Sequence, residues 1–313
     1  MELRNLGRSG LRVSLVGLGC NNFGDRLGLD DARKVVERAL DLGITFFDTA
    51  DRYGGPGASE TILGEILGRR RQNIVLATKF GISLQDRTAL AGASRRYIRT
   101  AVEGSLKRLK TDWIDLYQVH QPDPLTPIEE TLRTLDDLVH EGKVRCIGTS
   151  NFAAWQVADA EWTARAVDSE RFVSVQDEYS LAYRGHEKEL IPAVREYGLG
   201  FLPYRPLASG LLTGKYRRDQ PPAEGTRLSK MKHHAEKYLS DANFDTIERL
   251  GAFARQRGCK MTELAFSWLA AQPFVSSIIP GASTPAQLEE NLAAAAYRLT
   301  PEDLAEIDRL TAG

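Results

Sequence analysis

The sequence predicts an α/β fold, a closed (β/α)8 barrel of the TIM type with an N-terminal β-hairpin and a C-terminal helix. Short apolar segments alternate with amphipathic helical patterns through almost all of the 313 residues. Apolar, β-branched runs without polar alternation are typical of parallel strands that are buried on both faces. Eight such β-then-α units favour a closed barrel, and barrels of this size commonly form one domain. We therefore expect a single domain over residues 1–313.

A glycine-bounded turn at residues 7–10 predicts the opening hairpin. Barrel strands are predicted at residues 13–19, 45–48, 74–79, 114–120, 144–150, 173–178, 200–203 and 277–280. Helices are predicted at residues 30–42, 59–69, 94–109, 153–165, 187–197, 241–257, 262–271 and 285–296. A further helix is predicted to begin at Thr126-Pro127, with Thr126 as its cap and an apolar face from Ile128 to Val139, and a last short helix begins at Thr300. Residues 214–240 show neither pattern and are rich in Lys, Arg and His. The sequence leaves open whether this long segment is a functional loop or a solvated, charged surface.

Composition excludes several classes of function. The 41 basic and 42 acidic side chains give a formal net charge of -1, which argues against nucleic acid or a membrane surface as a partner. The three cysteines, Cys20, Cys146 and Cys259, have no metal-binding spacing and fit a reducing compartment. The N-terminal residues have no apolar signal core. We expect a cytoplasmic protein with no metal site, a monomer or weak homo-oligomer that acts on a small molecule.

Two glycine-rich stretches resemble nucleotide-binding motifs but depart from them. In residues 17–24 the third glycine comes too late for the dinucleotide fingerprint, and no helical pattern begins there. Residues 210–216 are one residue short of a phosphate-binding loop and lack Ser or Thr after Lys215. If the chain binds a nicotinamide cofactor, the barrel must hold it by other means.

Three predicted strands end in an ionisable residue, namely Asp48, Lys79 and His120. The carboxyl ends of parallel barrel strands meet at one face, where the active sites of this fold lie, so we expect these side chains to lie together. Tyr53, in the loop after Asp48, is expected beside them. The alternative is an Asp48–Lys79 ion pair that only stabilises the fold, with Tyr53 merely packed against it.

The chain resembles the aldo-keto reductase family nearly from end to end. The motifs that carry this resemblance are GITFFDTADRYG at residues 43–54, SETILG at 59–64, TK at 78–79, HQPD at 120–123, GKVRCIGTSNF at 142–152 and IPGAS at 279–283. Their occurrence together and in this order is highly specific. The resemblance implies a barrel that binds a nicotinamide dinucleotide in extended form, with the nicotinamide ring at the barrel mouth.

The same resemblance assigns Asp48, Tyr53, Lys79 and His120 to the catalysis of carbonyl reduction. This reaction requires a hydride on carbon and a proton on oxygen, and Tyr53 is the implied proton donor. A free phenol, with a pKa of about 10, is a weak acid at neutral pH, and we expect the Lys79 ammonium to lower the pKa of Tyr53. Asp48 is expected to keep Lys79 protonated, and His120 to hydrogen-bond the carbonyl oxygen.

Family likeness also implies which residues bind the cofactor. The amide and hydroxyl groups after strands five and six would hold the nicotinamide carboxamide, Tyr204 would stack on its ring, and the segment after Tyr204 would line the pyrophosphate. The predicted cofactor-binding residues are Ser150, Asn151, Gln176, Tyr204, Arg205, Leu207, Ser209, Gly210, Leu211, Lys215, Gly281, Ser283, Gln287, Glu290 and Asn291. Arg205 stands where Ser is usual, and could grip the pyrophosphate, reach a substrate anion or lie at the surface.

A helix is predicted to begin at Thr284-Pro285, with Thr284 as its cap and Gln287 as the partner in a capping box. The free backbone amides and the helix dipole at this start favour an anion. Family likeness places the adenosine 2′-phosphate here, near Ser283 and Gln287, with Glu290 and Asn291 toward the adenine. Many relatives carry a basic side chain where this chain has Ser283 or Gln287. We nevertheless favour NADP (NADPH), with NAD as the alternative, because other branches with Ser and Gln here also use NADP.

The leading hypothesis is an NADPH-dependent reductase of small aldehydes or ketones, whose substrate wall is expected to include Asn22, Phe23, Arg52 and Trp155. A second hypothesis is a cofactor-sensing binding protein on the same barrel, similar to the potassium-channel β subunits. A third is a Schiff-base aldolase with Lys79 as the nucleophile, since barrels also host that chemistry. The aldolase hypothesis leaves Tyr53 and the implied cofactor contacts without a role.

Overall fold

The computed structural model describes residues 1–82 and 92–311. It opens with the predicted hairpin, in which β1 (Leu3–Asn5) pairs antiparallel with β2 (Arg12–Ser14). The hairpin turn packs on the start of a distant strand, where the Arg8 amide donates to the Gly198 carbonyl. Leu6 is fully buried there. The hairpin therefore covers the end of the barrel where the strands begin, opposite the predicted site.

Seven parallel strands follow in sequence order in one curled sheet. They are β3 (Leu18–Gly19), β4 (Phe46–Asp48), β5 (Val75–Phe80), β6 (Ile114–Val119), β7 (Val144–Ser150), β8 (Ser174–Glu178) and β9 (Gly200–Tyr204). Residues 275–281 close the cylinder, because they bridge Phe201 and Tyr204 of β9 on one side and Val16 and Gly19 on the other. The (β/α)8 architecture predicted from the sequence is confirmed.

Two predicted strands differ from the structure. The segment predicted at residues 13–19 is divided, since its first part belongs to the hairpin and only Leu18–Gly19 forms part of the barrel ladder. The segment predicted at 277–280 makes single bridges and no continuous ladder. Pro280 has no amide hydrogen to donate, which interrupts regular pairing at this point.

Helices surround the sheet on its outer face. Their bounds are α1 (Leu29–Asp41), α2 (Ala58–Leu67), α3 (Arg95–Leu109), α4 (Ile128–His140), α5 (Ala154–Ala166), α6 (Leu190–Tyr197), α7 (Arg227–Lys230), α8 (Lys232–Tyr238), α9 (Asp241–Arg257), α10 (Met261–Ala271), α11 (Pro285–Ala296) and α12 (Pro301–Thr311). The segment 214–240, predicted to be irregular, thus contains two short helices. Within the described ranges, no helix is both long and apolar enough to cross a membrane.

The barrel interior is apolar at its floor and polar at its mouth. A small buried cluster that includes Phe46, Ala77, Leu116 and Leu202 fills the floor. Side chains two residues apart on a strand point to the same face, so the next inward positions carry Asp48, Lys79, Gln118 and Tyr204. Strand periodicity therefore sets a layer of polar side chains directly above an apolar one.

Candidate active site

Lys79 and Asp48 form a fully buried ion pair at the ends of β5 and β4. Lys79 Nζ lies 2.6 Å from Asp48 Oδ2, and the two side chains are 0% and 4% exposed. The same ammonium donates to the Thr49 carbonyl at 2.9 Å and to the Tyr53 hydroxyl at 3.3 Å. Of the groups expected to meet at the mouth of the barrel, Asp48 and Tyr53 therefore lie within hydrogen-bond reach of the Lys79 ammonium.

Two glutamines hold the second oxygen of the Asp48 carboxylate. Gln176 Nε2 donates to Asp48 Oδ1 at 2.9 Å and Gln118 Nε2 donates to it at 3.2 Å. A buried carboxylate needs such partners, because an unpaired charge away from water is costly. Sequence analysis missed Gln118, although its position two residues before His120 on the same strand was a usable signal.

The loop that carries Tyr53 is held by a close approach between two backbone segments. Gly54 has φ +72°, and a Cβ at this position would lie 2.4 Å from the Phe23 carbonyl oxygen. Only glycine fits both this left-handed conformation and this contact without strain. The Tyr53 carbonyl also accepts the Ser59 amide hydrogen in the first turn of α2. Loop and helix together fix the direction of the phenol.

Burial and neighbouring charges shift the pKa values of Lys79 and Tyr53. Burial acts to lower the pKa of Lys79, but the Asp48 carboxylate and Tyr53 outweigh it, so the pKa is raised and the ammonium stays charged. Burial raises the pKa of Tyr53 above its ordinary value, and Lys79 offsets only part of that rise. The expected net decrease in the pKa of Tyr53 is therefore wrong for this structure, in which Tyr53 is a protonated phenol at neutral pH.

His120 lies beside Tyr53 as a neutral imidazole. The two rings meet edge to face, with centroids 5.7 Å apart. Burial, followed by the positive charges of Lys79 and Arg52, holds the pKa of His120 well below its usual range. Within residues 1–82 and 92–311, His120 Nδ1 has no hydrogen-bond partner. The ring can therefore donate one hydrogen bond without carrying a charge.

A cavity of about 980 Å³ opens over these residues, at the upper end of the range of about 300–1,000 Å³ for small-molecule sites. It extends from Asp48, Tyr53 and His120 to the start of α11. Most residues predicted from the sequence border it. They are Asn22, Arg52, Ser150, Asn151, Gln176, Tyr204, Arg205, Leu207, Ser209, Gly210, Lys215, Gly281, Ser283, Gln287, Glu290 and Asn291.

Three predicted contact residues are not brought to the cavity. Phe23 is fully buried in the core and Leu211 is 1% exposed there, because both point away from the opening into the packing of the barrel. Trp155 lies on the outer surface of α5 and is 68% exposed. Among the wall residues expected for a substrate, Asn22 and Arg52 border the cavity, whereas Phe23 and Trp155 do not.

Asn151 connects polar residues at the ends of β6, β7 and β9. It adopts φ +61° directly after β7, and its amide nitrogen donates to the His120 carbonyl at 2.9 Å and to Ser150 Oγ at 3.0 Å. Its amide oxygen accepts the Tyr204 hydroxyl hydrogen at 2.8 Å. The phenol of Tyr204 is thereby held at the wall of the cavity, between the ends of β7 and β9.

The start of α11 is capped as the sequence predicted. The Thr284 hydroxyl accepts the Gln287 amide hydrogen, and the Gln287 side-chain oxygen accepts the Ser283 amide hydrogen at 2.9 Å. Asn22 Nδ2 lies 3.3 Å from Ser283 Oγ. Ser283 and Gln287 therefore belong to a hydrogen-bond network that joins Asn22, in the loop after β3, to the start of α11.

Residues 214–240, hereafter the strap, are fastened to the barrel by the buried Glu178. Its carboxylate accepts hydrogen bonds from Lys237 Nζ at 2.9 Å, from the Tyr238 hydroxyl and from Arg205 Nη1 at 3.0 Å. Arg205 Nη2 also lies 3.1 Å from His234 Nε2. Arg205 is therefore occupied by partners inside the protein, which removes the surface placement considered for it.

The strap supplies cavity residues that the sequence analysis missed, among them Thr226 and Arg227. Arg227 Nε is buried without a hydrogen-bond partner in the described part of the chain. Lys260 and Arg26 also border the cavity. The basic character of the strap was the available signal, but its sequence pattern did not show which side chains turn inward.

Comparisons with known proteins identify the family of this barrel. Residues 15–312 match the model of the Aldo/keto reductase family, so the chain belongs to that family. It is similar to a Bacillus subtilis protein named Uncharacterized oxidoreductase YrpG, 38% identical over 323 residues that cover 100% of this chain and 97% of the relative. The resemblance predicted from the motifs is confirmed.

Two further relatives carry names of different kinds. L-glyceraldehyde 3-phosphate reductase of Escherichia coli K12 is 34% identical, over 99% of this chain and 92% of its own. Probable voltage-gated potassium channel subunit beta of Oryza sativa subsp. japonica is 37% identical, over 98% of this chain and 96% of its own. The protein is an oxidoreductase of a family that generally uses NAD(P)H.

Proposed function

We propose that this protein reduces small aldehydes or ketones to alcohols with NADPH, and that Tyr53 is the general acid. The observation that carries the proposal is the contact of the Tyr53 hydroxyl with the buried Lys79–Asp48 pair, beside a neutral His120. A protonated phenol and an imidazole N–H are two donors for one carbonyl oxygen. The Asp48–Lys79 pair then has a catalytic role as well as a structural one.

The residues of the cavity fit an extended dinucleotide. The cavity extends from the proposed catalytic residues to the N-terminus of α11 at Thr284, which is a favourable place for a phosphate. Lys215, Arg227 and Lys260 add positive charge along it, and the unpartnered Arg227 Nε, an orphan within the described ranges, suits an anionic ligand. These cations suit the phosphates of a dinucleotide, and we favour NADP over NAD because other branches of the family with Ser and Gln at the start of this helix also use NADP.

The bound cofactor would supply the hydride, and the side chains of the protein would manage the proton and the charge. The Tyr53 hydroxyl would give its proton to the carbonyl oxygen. The adjacent Lys79 ammonium would stabilise the phenolate left behind, while Gln118 and Gln176 keep the Asp48 carboxylate ionised and in place. His120 would orient the carbonyl oxygen and stabilise its developing negative charge.

A second function, cofactor sensing with slow chemistry, is favoured by the relatives named potassium channel β subunits. Steady-state turnover separates the two. Oxidation of NADPH and NADH is followed with a panel of aldehydes and ketones, and the affinity for each dinucleotide is titrated by fluorescence. The reductase proposal expects repeated turnover and tighter binding of NADPH than NADH. Tight binding of NADPH with negligible turnover would instead support the sensor.

We further propose that the carbonyl compound is the main partner and that the protein acts in the cytoplasm as a monomer or weak homo-oligomer, without nucleic acid or membrane. The thiols of Cys20, Cys146 and Cys259 are free in the described structure, which suits a reducing compartment. Light scattering across a range of protein concentrations tests the oligomeric state.

A further inference from the structure

Arg52 is the cation nearest in sequence to the proposed acid, and it borders the cavity. Its two neighbours, Asp51 and Tyr53, turn their side chains inward, whereas Arg52 is exposed. No carboxylate of residues 1–82 and 92–311 forms an ion pair with its guanidinium. Arg52 therefore has no evident role in holding the fold together.

No charged group near Tyr53 forms an ion pair with Arg52 in the described part of the chain. Lys79 and Asp48 neutralise each other within 2.6 Å. Tyr53 and His120 are neutral, and the positive field of Arg52 contributes to the low pKa of His120, after burial and Lys79. The Arg52 guanidinium is therefore a positive charge at the rim of the region that would hold the substrate carbonyl, and it has no ion-pair partner among the described residues; the neighbouring Asp51 is buried and its pKa is raised to about 7.

Other arginines around the cavity are less suited to contact a substrate. The guanidinium of Arg205 is occupied by Glu178 and lies near His234. Arg227 belongs to the strap and Arg26 follows the first barrel strand, where it lies 4.0 Å from the Asp25 carboxylate. Among these arginines, only Arg52 directly precedes the proposed proton donor, Tyr53, in the sequence.

From this arrangement we infer that Arg52 selects carbonyl substrates that carry an anionic group, a phosphate or a carboxylate, at the end away from the reacting carbon. A guanidinium recognises both anions through two parallel hydrogen bonds. The Arg52 guanidinium would bind the anion while the carbonyl oxygen meets Tyr53 and His120. This inference rests on the proposed reductase function and adds the class of substrate to it.

The test compares pairs of substrates that differ in the anion alone. Glyceraldehyde 3-phosphate is paired with glyceraldehyde, and 4-carboxybenzaldehyde with its methyl ester. For the anionic members, Arg52→Gln should lower kcat/KM by about 10- to 100-fold, the effect of losing hydrogen bonds to a charged group, while the neutral members change by less than about twofold. Arg52→Lys should fall between, because it keeps the charge and loses the paired geometry.

Arg69→Gln is the matched control, since Arg69 is exposed in the 3-10 turn before β5, at the opposite end of the strand from Lys79. Raised ionic strength should weaken the anion preference of the wild type and not of Arg52→Gln. A loss confined to the phosphate pair, or to the carboxylate pair, would identify which anion is recognised.

An equal fall for anionic and neutral members, or no fall for either, would overturn the role of Arg52 while turnover of neutral aldehydes still upheld the reductase. Absence of turnover with all four compounds would instead contradict the proposed function itself.

Discussion

Two polar networks border the same cavity, and they are built differently. The proposed catalytic network joins Asp48, Lys79 and Tyr53, with both charges fully buried at the ends of adjacent strands. The strap network joins Glu178 to Lys237 and Arg205, whose side chains remain 33% and 30% exposed. The first depends on the regular register of a barrel, and the second on short helices brought back to it by a long connection. We infer that the first network supports the chemistry and the second the retention of the cofactor.

The largest effect is expected from breaking the catalytic pair. Lys79→Met leaves the Asp48 carboxylate buried without its counter-charge, which costs about 3–5 kcal/mol of unfolding free energy. It should also reduce turnover by at least about 100-fold and move the pH optimum, since the charge that stabilises a Tyr53 phenolate is lost. Urea unfolding and steady-state kinetics measure the two effects.

The double variant Asp48→Asn with Lys79→Met separates stability from catalysis. It removes both charges, so it should recover much of the lost unfolding free energy and none of the lost turnover. Recovery of turnover in the double variant would mean that the pair serves the fold alone.

A pH effect on stability is expected at the buried Asp51, two residues before Tyr53. Burial and the nearby Glu60 raise the pKa of Asp51 from 3.8 to about 7, and its Oδ1 has no hydrogen-bond partner within the described residues. A carboxyl group whose pKa is raised in the folded state stabilises the fold while protonated, and this contribution is lost as the pH rises from about 4 to about 7. Wild-type unfolding free energy should fall by about 3 kcal/mol over that range from this group.

Asp51→Asn cannot titrate, so its stability should decline less over the same pH range than that of the wild type. Asp112→Asn, an exchange at an exposed site, should keep the wild-type profile. Denaturant titrations at pH 4.5 and 7.5 measure the difference, and parallel profiles for wild type and Asp51→Asn would contradict the assignment.

The strap network predicts a smaller effect, on cofactor affinity. Glu178→Gln removes the negative charge that holds Arg205, Lys237 and Tyr238, and should raise the dissociation constant of NADPH by about tenfold with a faster release rate. Glu248→Gln, which loosens an exposed ion pair with Arg218 in the strap, should change the constant by less than about twofold. Equal effects of the two variants would show that Glu178 does not fasten the strap in solution.

Features of the fold and the site that depend on local sequence could be predicted. The barrel, the hairpin and the meeting of Asp48, Lys79 and Tyr53 follow from local rules, because an apolar run that ends in a polar residue specifies both a strand and the edge where that residue emerges. The cap at Thr284 is equally local and was predicted correctly. These features need no knowledge of distant contacts.

Features that depend on distant contacts were missed. The sequence did not predict the two short helices of the strap, the position of Arg227 at the cavity or the hydrogen bonds of Glu178 to the strap. Each of these depends on contacts between segments that share no sequence pattern. The raised pKa of Tyr53 was mispredicted, because the sequence shows a neighbouring cation but not the depth of burial that outweighs it. Phe23 lies in the core and Trp155 at the surface, and neither borders the cavity, because the sequence does not show which way an aromatic side chain next to a motif will point.

The role of Tyr53 as the proton donor is tested most directly by Tyr53→Phe, with Tyr117→Phe as the matched control. Tyr117 is fully buried in the core, and its hydroxyl has no hydrogen-bond partner in the described ranges, so its loss removes an oxygen and no bond. With NADPH and an aldehyde that the wild type reduces, Tyr53→Phe should lower turnover by about 10²- to 10⁴-fold while NADPH affinity and the Tyr117→Phe rate stay near wild type. Near-normal turnover by Tyr53→Phe would contradict the role of Tyr53 as the proton donor.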